Sequence, residues 1–322
     1  MEKDLHNLFS FEKNMKDHMM LFGVTLAKRY TNRQKRIFTS QAEPFFRKLG
    51  YGFSFQDSSK KLSRVVNIII GDIAKANTIV LCPYDTPSKS ILPYCYFPFN
   101  SSDNLKQENR EIFLRSLSYI GSCYLTYWII SHFSDLPLLQ RILGGFILAF
   151  LIIFCYRLIV GIPNPVNFNR NSTSLALVAA LAERTRNKSE IAYVLLDRNT
   201  ESNAGLRTLA SEAGMRNKFF IYLDCLAEGE ELVCAHSPAL NSHAERLIAA
   251  LPGLNVIDHV FSEEERLKET NLQIFPNMLH LCSGTIRNRK FVVRNTRSKK
   301  DFKVDIPRLE KIRDGLINYL KG

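Results

Sequence analysis

The chain has 322 residues, 46% of them hydrophobic, enough to build the core of one large domain or two ordinary ones. A formal net charge of +12 raises nucleic acid as a partner, but no nucleic-acid motif and no aromatic platform accompanies the basic residues, so no nucleic-acid role is expected. The cysteines at 82, 95, 123, 155, 225, 234 and 282 show no C-x-x-C spacing, which excludes an obvious disulfide framework and fits a reduced compartment.

The sequence opens Met1-Glu-Lys-Asp, charged and without a signal-type apolar stretch, so nothing is expected to direct the bulk of the chain outward. Residues 1–50 read as helical from the spacing of Leu21, Leu26, Tyr30, Ile37, Phe38, Phe45, Phe46 and Leu49. Pro44 should interrupt or start a helix there, and Gly50 and Gly52 close the region. Short continuous apolar runs at Val65–Ile70 and Thr78–Cys82 predict central strands, separated by the turn signal Gly71-Asp72 and ending at Pro83. Tyr84 to Asn104, rich in Pro and Ser and without a period, reads as a loop.

An apolar pair of segments interrupts the α/β pattern between Leu114 and Val160. Ser116–Ser134 and Ile142–Tyr156 carry no charge, and Asp135, Pro137 and Arg141 mark the turn between them. These lengths predict a two-helix transmembrane hairpin; a buried helical hairpin in a soluble core is the alternative. Lys106, Arg110 and Arg115 before it, and Arg157 and Arg170 after it, place both ends and the soluble domain in the cytoplasm by the positive-inside rule. The basic runs Lys28–Arg36 and Arg287–Lys303 read as membrane-apposed surfaces, with membrane lipid as partner, or as solvated faces. Gly144-Gly145 offers a small-residue contact for a homo-oligomer, a transporter or another membrane protein.

After Pro163 and Pro165, Ser172–Ala182 predicts a buried helix, and Ile191–Leu196 and Phe219–Leu223 predict central strands with a helix near Gly205–Glu212 between them. Helices are expected at Ala239–Leu251 and after Ser262, where Ser262 and Glu265 form a capping box. Phe291–Val293 reads as a strand, and the last helix starts at Pro307 with Leu309, Ile312, Leu316 and Leu320 on one face. No internal repeat is present.

The run Thr78-Ile-Val-Leu-Cys-Pro-Tyr-Asp-Thr-Pro87 resembles the strand and His-x-Asp loop of the M28 zinc aminopeptidase family. Asn167–Ala180 is similar to that family's Asn-Asp-x-x-Ser-Gly loop and buried helix. Leu195–Gly205 is similar to its strand and Glu-Glu loop, Ile221–Asp224 to a strand ending in a metal-binding Asp, and Val304–Leu309 to the start of its last helix. The resemblance covers nearly all of the soluble part. It implies an α/β, three-layer, aminopeptidase-like (phosphorylase/hydrolase-like) fold with a mixed, mainly parallel sheet, built from residues 1–104 and 164–322 around the inserted hairpin, residues 105–163.

In that family two zinc ions, held by two His, a bridging Asp, another Asp and an acidic residue, activate water with a Glu as general base. Position by position, the first His falls on Pro83, the bridging Asp on Arg170 and the Glu pair on Asn199 and Thr200; the last His falls near Asn295, and Asp85 and Asp224 remain. With Asn171 these form a candidate cleft, Pro83, Asp85, Arg170, Asn171, Asn199, Thr200 and Asp224, in which no catalytic residue, metal or cofactor is expected. Two buried carboxylates need a counter-charge, and Arg170 is expected to pair with one or both. A relocated zinc site using Glu201, His236, His280 or Cys225 with Asp224, or a nucleophilic Cys225 or Cys82, is the enzymatic alternative. The resemblance implies a membrane-anchored pseudopeptidase acting as scaffold, peptide-binding protein or complex subunit, with an active tethered aminopeptidase as the alternative.

Overall fold

The computed structural model describes residues 14–58, 64–186 and 188–322; residues 1–13 of the predicted N-terminal helical region lie outside them. The chain runs through a short helix α1 (Met15–Met19), a π-turn at Met20–Thr25 and α2 (Asn32–Lys48), then the strands β1 (Phe53–Ser58), β2 (Val65–Ile70) and β3 (Thr78–Pro83). A two-residue strand β4 (Cys95–Tyr96) precedes the long helices α3 (Ser101–His132) and α4 (Leu138–Val160). Helix α5 (Thr173–Arg184) leads to β5 (Ile191–Leu196), α6 (Ala204–Ala210), β6 (Phe219–Asp224), β7 (Glu231–His236), α7 (Asn241–Ala249) and β8 (Val256–Val260). Helices α8 (Glu263–Lys268) and α9 (Thr270–Ile274), strands β9 (Met278–Arg287) and β10 (Lys290–Arg294), and α10 (Ile306–Lys321) complete it.

The strands form one ten-stranded sheet in the order β1-β2-β5-β3-β6-β9-β10-β4, with β7 pairing β9 and β8. Its centre, β5-β3-β6-β9, is parallel, and antiparallel pairs β1/β2, β2/β5, β7/β9, β9/β10 and β4/β10 flank it. The continuous apolar runs predicted as strands lie in this centre, where both faces are covered. One face packs Ile70, Val80, Leu195 and Ile221 under α2, α5, α7 and α10; the other packs Ile79, Leu81, Val194 and Phe220 against Leu206, Leu209 and Phe275. The layers are therefore helix, sheet, helix.

Strands β1, β7, β8 and β9 were not legible in the sequence. β9 carries His280, Cys282, Ser283 and Gly284, which break the apolar run although the strand is buried through Gly284. Helix α2 passes through Pro44 without ending, contrary to expectation. The carbonyl that Pro44 leaves unpaired belongs to exposed Ser40, within reach of water, while Phe38, Ala42 and Phe46 hold the buried face. The Ser262–Glu265 capping box and the first-turn Pro307 form as the sequence predicts.

The expected loop from Tyr84 to Asn104 instead contains β4 and the Asn100 cap of α3. The first half of α3 lies on the α/β domain: Glu111 is buried, Glu108 pairs with Arg297, and Asp103 meets Lys290 at 2.5 Å. Beyond Arg115, Leu117, Ile120, Tyr124 and Trp128 of α3 and Leu138, Leu139, Phe146 and Phe150 of α4 face outward. Among the described residues only α4, with 23 residues, is long and apolar enough to cross a membrane by length and composition. Of the two expected spans one meets this measure; the apolar part of α3 is shorter and diluted by Ser118, Ser122, Ser131, Tyr119 and Tyr127.

Candidate functional site

The C-terminal ends of parallel strands collect loop residues at one edge of a sheet, where α/β folds place ligands. Here β3 delivers Pro83, Tyr84 and Asp85, β5 delivers Asp197 to Glu201, and β6 ends at Asp224. A π-turn at Phe168–Ser172 enters α5 from the side, and its geometry is fixed by Asp301, whose carboxylate accepts the Asn169 amide at 2.8 Å and the Arg170 amide at 3.2 Å. The Asn169 side-chain oxygen in turn accepts the Ala227 amide at 2.8 Å, tying the turn to the loop after β6.

This support aims Arg170 inward. Its Nη1 lies 2.5 Å from Asp224 Oδ1, its Nη2 donates to the Thr200 carbonyl at 3.1 Å, and the guanidinium carbon sits 4.1 Å over the Tyr96 ring. The Tyr96 hydroxyl donates to the other Asp224 oxygen at 2.7 Å, and the Cys225 thiol donates to Asp224 Oδ1 at 3.3 Å. Arg170 and Asp224 are both buried, 3% and 0% exposed, so the pair is shielded from screening by water. Burial acts against the guanidinium charge, but Asp224, then Tyr96 and Cys225, raise the Arg170 pKa well above its ordinary value. Burial, reinforced by Asp224, pushes the Tyr96 phenol well up.

Of the two carboxylates, one or both of which Arg170 is expected to pair with, it pairs with Asp224. Asp85 accepts from the Asn199 amide at 3.0 Å, from the Thr200 amide at 3.3 Å and from the Thr200 hydroxyl. Burial is the main cause raising its pKa, with Lys35 opposing. Thr200 thus joins the two carboxylates, donating to Asp85 and accepting from Arg170. Asn171 faces away from any cleft: its amide donates to the Asp85 carbonyl and its oxygen accepts from Arg29 at 2.8 Å. Asn199 is spent likewise, donating to the Tyr222 hydroxyl at 3.0 Å and accepting the Leu206 amide at 3.1 Å.

Arg29, placed by sequence in a membrane-facing basic run, is fully buried. Its guanidinium donates to the carbonyls of Phe22, Leu26 and Tyr84, to Asn171 and to Ser172. Burial lowers its pKa to about 9, which still leaves it cationic at neutral pH. Arg297, from the second basic run, is also buried, against Glu108 and the Tyr94 ring. Sequence reasoning missed Arg29, Asp301 and Tyr96; the tyrosines flanking Cys95 in an otherwise aperiodic loop were the one available signal for the last.

Above Arg170 and Tyr96 lies a cleft of about 280 Å³, lined also by Tyr94, Asn199, Thr200, Glu201, Arg207 and Asn271. Of the predicted cleft residues, Arg170, Asn199 and Thr200 line it, whereas Pro83, Asp85, Asn171 and Asp224 are buried and do not. Asn295, the loose match for a second His, lines a separate cavity with Asn169 and Lys300.

The alternative ligands do not assemble around Asp224. His236 bonds Asp258 at 2.7 Å and the Ser237 carbonyl at 2.8 Å, and Glu201 accepts the Ser88 amide at 2.9 Å and hydroxyl at 3.0 Å. His280 Nε2 comes to 3.8 Å from Asp224 Oδ2 without a hydrogen-bond partner, and burial lowers its pKa to about 4. Burial raises the Cys82 and Cys225 thiols, which therefore stay protonated, unlike activated nucleophiles. Among the described residues no three His, Cys, Asp or Glu side chains are placed to hold a metal ion together. The residues present do not fit the two zinc ions that the M28 resemblance implies: a proline and a guanidinium stand where ligands would be, and the guanidinium is paired with Asp224.

No family profile and no curated protein matches the sequence. Solved structures do match in fold. Porphyromonas gingivalis glutaminyl cyclase superposes with a TM-score of 0.56 at 11% identity, covering 95% of each chain. Macrostomum lignano glutaminyl cyclase gives 0.53 at 13% identity over 95% of this chain and 88% of its own, and the Legionella pneumophila aminopeptidase LapA gives 0.55 at 8% identity over 95% and 70%. The chain therefore has the mixed α/β fold that glutaminyl cyclases and aminopeptidases share.

Proposed function

We propose that this chain is a membrane-anchored, catalytically degenerate relative of M28-type peptidases whose cleft binds or positions a partner, such as a peptide or another subunit of a membrane complex, rather than hydrolysing it. The Arg170–Asp224 ion pair carries this reading. A buried, hydrogen-bonded guanidinium is costly to displace, because removing it leaves Asp224 uncompensated. The neighbouring cyclases and aminopeptidase supply the fold comparison, and their chemistry is not carried over by 8 to 13% identity.

Topology limits the form that anchoring takes. Strands β2 and β3, before the helix pair, hydrogen-bond to β5 and β6, after it, so both feet of the pair stand on the same side of any bilayer. The pair either crosses twice or not at all. Helix α4 is about 34 Å long at 1.5 Å per residue, enough for roughly 30 Å of hydrocarbon. The serines that dilute α3 satisfy their hydroxyls inside the helix, Ser118 on the Leu114 carbonyl at 2.9 Å and Ser122 on the Ser118 carbonyl at 2.8 Å. The expected hairpin with a cytoplasmic domain is therefore kept as the proposal.

The test is an assay of the full chain in detergent with added zinc, on aminoacyl-coumarin substrates and on peptides with N-terminal Gln. The reading expects neither hydrolysis nor cyclisation above a buffer control. Turnover that Asp224→Asn abolishes would instead establish the tethered enzyme.

A further inference from the structure

We propose that the neck joining the helix pair to the α/β domain is a binding site for the anionic headgroups of membrane phospholipids. This rests on the anchoring reading above and adds to it a lipid class and a set of residues.

The neck is where distant segments meet. The Tyr30 hydroxyl donates to the carbonyl of Val160, the last residue of α4, at 2.7 Å. At Gly161, which follows with φ +81°, a Cβ would collide with the Tyr30 hydroxyl and lie 3.3 Å from Ser88 Cβ, so only glycine lets the helix end close against both. The Lys89 amide donates to the Ile162 carbonyl at 2.7 Å and the Asn164 amide to the Pro87 carbonyl at 3.1 Å. Arg115, the last charged residue of α3 before its apolar half, reaches Ser88 Oγ at 3.2 Å and the Lys89 carbonyl at 3.0 Å.

Lys28 and Arg33 flank Tyr30 in the chain, Lys89 bonds Ile162 through its amide, and the Arg157 carbonyl accepts the Gly161 amide one turn before the helix end, so these four cations border the foot of the helix pair. All are exposed, and among the described residues none has an ion-pair partner. The carboxylates at the neck are already engaged: Glu111 is buried beside Arg115 at 3.9 Å, and Glu201 accepts from Ser88 and lies 3.7 Å from Arg297. Ile112, Phe113, Ile159 and Ile162 are exposed at the same foot, 58%, 65%, 70% and 49%, which marks where hydrocarbon would begin. Unpaired cations beside that boundary sit at the level of lipid phosphates and carboxylates, and the apolar rim favours a lipid over a free anion.

The full chain, reconstituted in phosphatidylcholine bilayers containing phosphatidylserine and then extracted in mild detergent, is analysed for retained lipid by mass spectrometry. Phosphatidylserine should be enriched over its share of the bilayer. Lys28→Ala with Lys89→Ala should cut the enrichment by about five-fold per charge removed, and Lys28→Arg with Lys89→Arg should keep it. Equal retention of both lipids, unchanged enrichment in the alanine variant, or displacement of the lipid by inorganic phosphate at matched ionic strength would overturn the assignment. Alkaline carbonate separates the two levels: a chain stripped from the bilayer refutes anchoring and the lipid site together. A chain that stays but shows no preference refutes the lipid site alone.

Discussion

Arg170 lies with its Nη1 2.5 Å from Asp224 Oδ1, with the Tyr96 ring beneath the guanidinium and the Tyr96 hydroxyl on the second carboxylate oxygen. The pair is closed, because both carboxylate oxygens of Asp224 and both terminal nitrogens of the guanidinium are answered by other protein groups. Breaking one member should therefore cost more than replacing the set.

Arg170→Met leaves Asp224 buried without its counter-charge and is expected to destabilise by roughly 3 to 5 kcal/mol. Combining it with Asp224→Leu and Tyr96→Phe removes the orphaned groups and should recover much of that loss. Denaturant unfolding of the single and combined variants in one detergent reads both. Additive losses would mean that the groups are not coupled.

His280 gives a pH prediction. Its pKa is lowered by burial to about 4, below the unfolded value near 6.5, so between these values the unfolded chain binds more protons. Its contribution is complete above about pH 6.5 and is lost as pH falls toward 4. His280→Phe, which keeps a ring between Phe99 and Tyr222, should flatten that acid limb. Melting temperatures of both proteins across this range check it; parallel curves would exclude His280 as a source.

Arg29→Lys should destabilise by at least about 3 kcal/mol, since a single ammonium cannot reach the separated acceptors that the planar guanidinium serves. Its exposed neighbour provides the contrast: Lys28→Ala should shift the melting temperature little. Equal shifts would remove the structural role assigned to Arg29.

What the sequence carried well was the central sheet and its neighbours, because β3, β5 and β6 are continuous apolar runs and α5 is apolar all round. The M28 resemblance set Arg170 at a metal-ligand position, and the pairing with a carboxylate followed from the cost of burying Asp85 and Asp224 uncompensated. Its choice of Asp224 over Asp85 was not legible, since that depends on Asp301 orienting the turn and on Thr200 satisfying Asp85, contacts between residues far apart in the chain. Arg29 was misread because a charge in a basic run looks solvated unless its acceptors are known. The helix pair was read as two spans; both helices expose apolar side chains, but only α4 has the apolar length, because α3 divides its length between the domain and the apolar stretch.

Zinc titration of the purified full chain, after removal of bound metal and with elemental analysis of the same sample, addresses the central claim directly. With Arg170 seated on Asp224, no saturable zinc site should be seen. About two zinc ions per chain, bound tightly and lost on Asp224→Asn, would contradict the account.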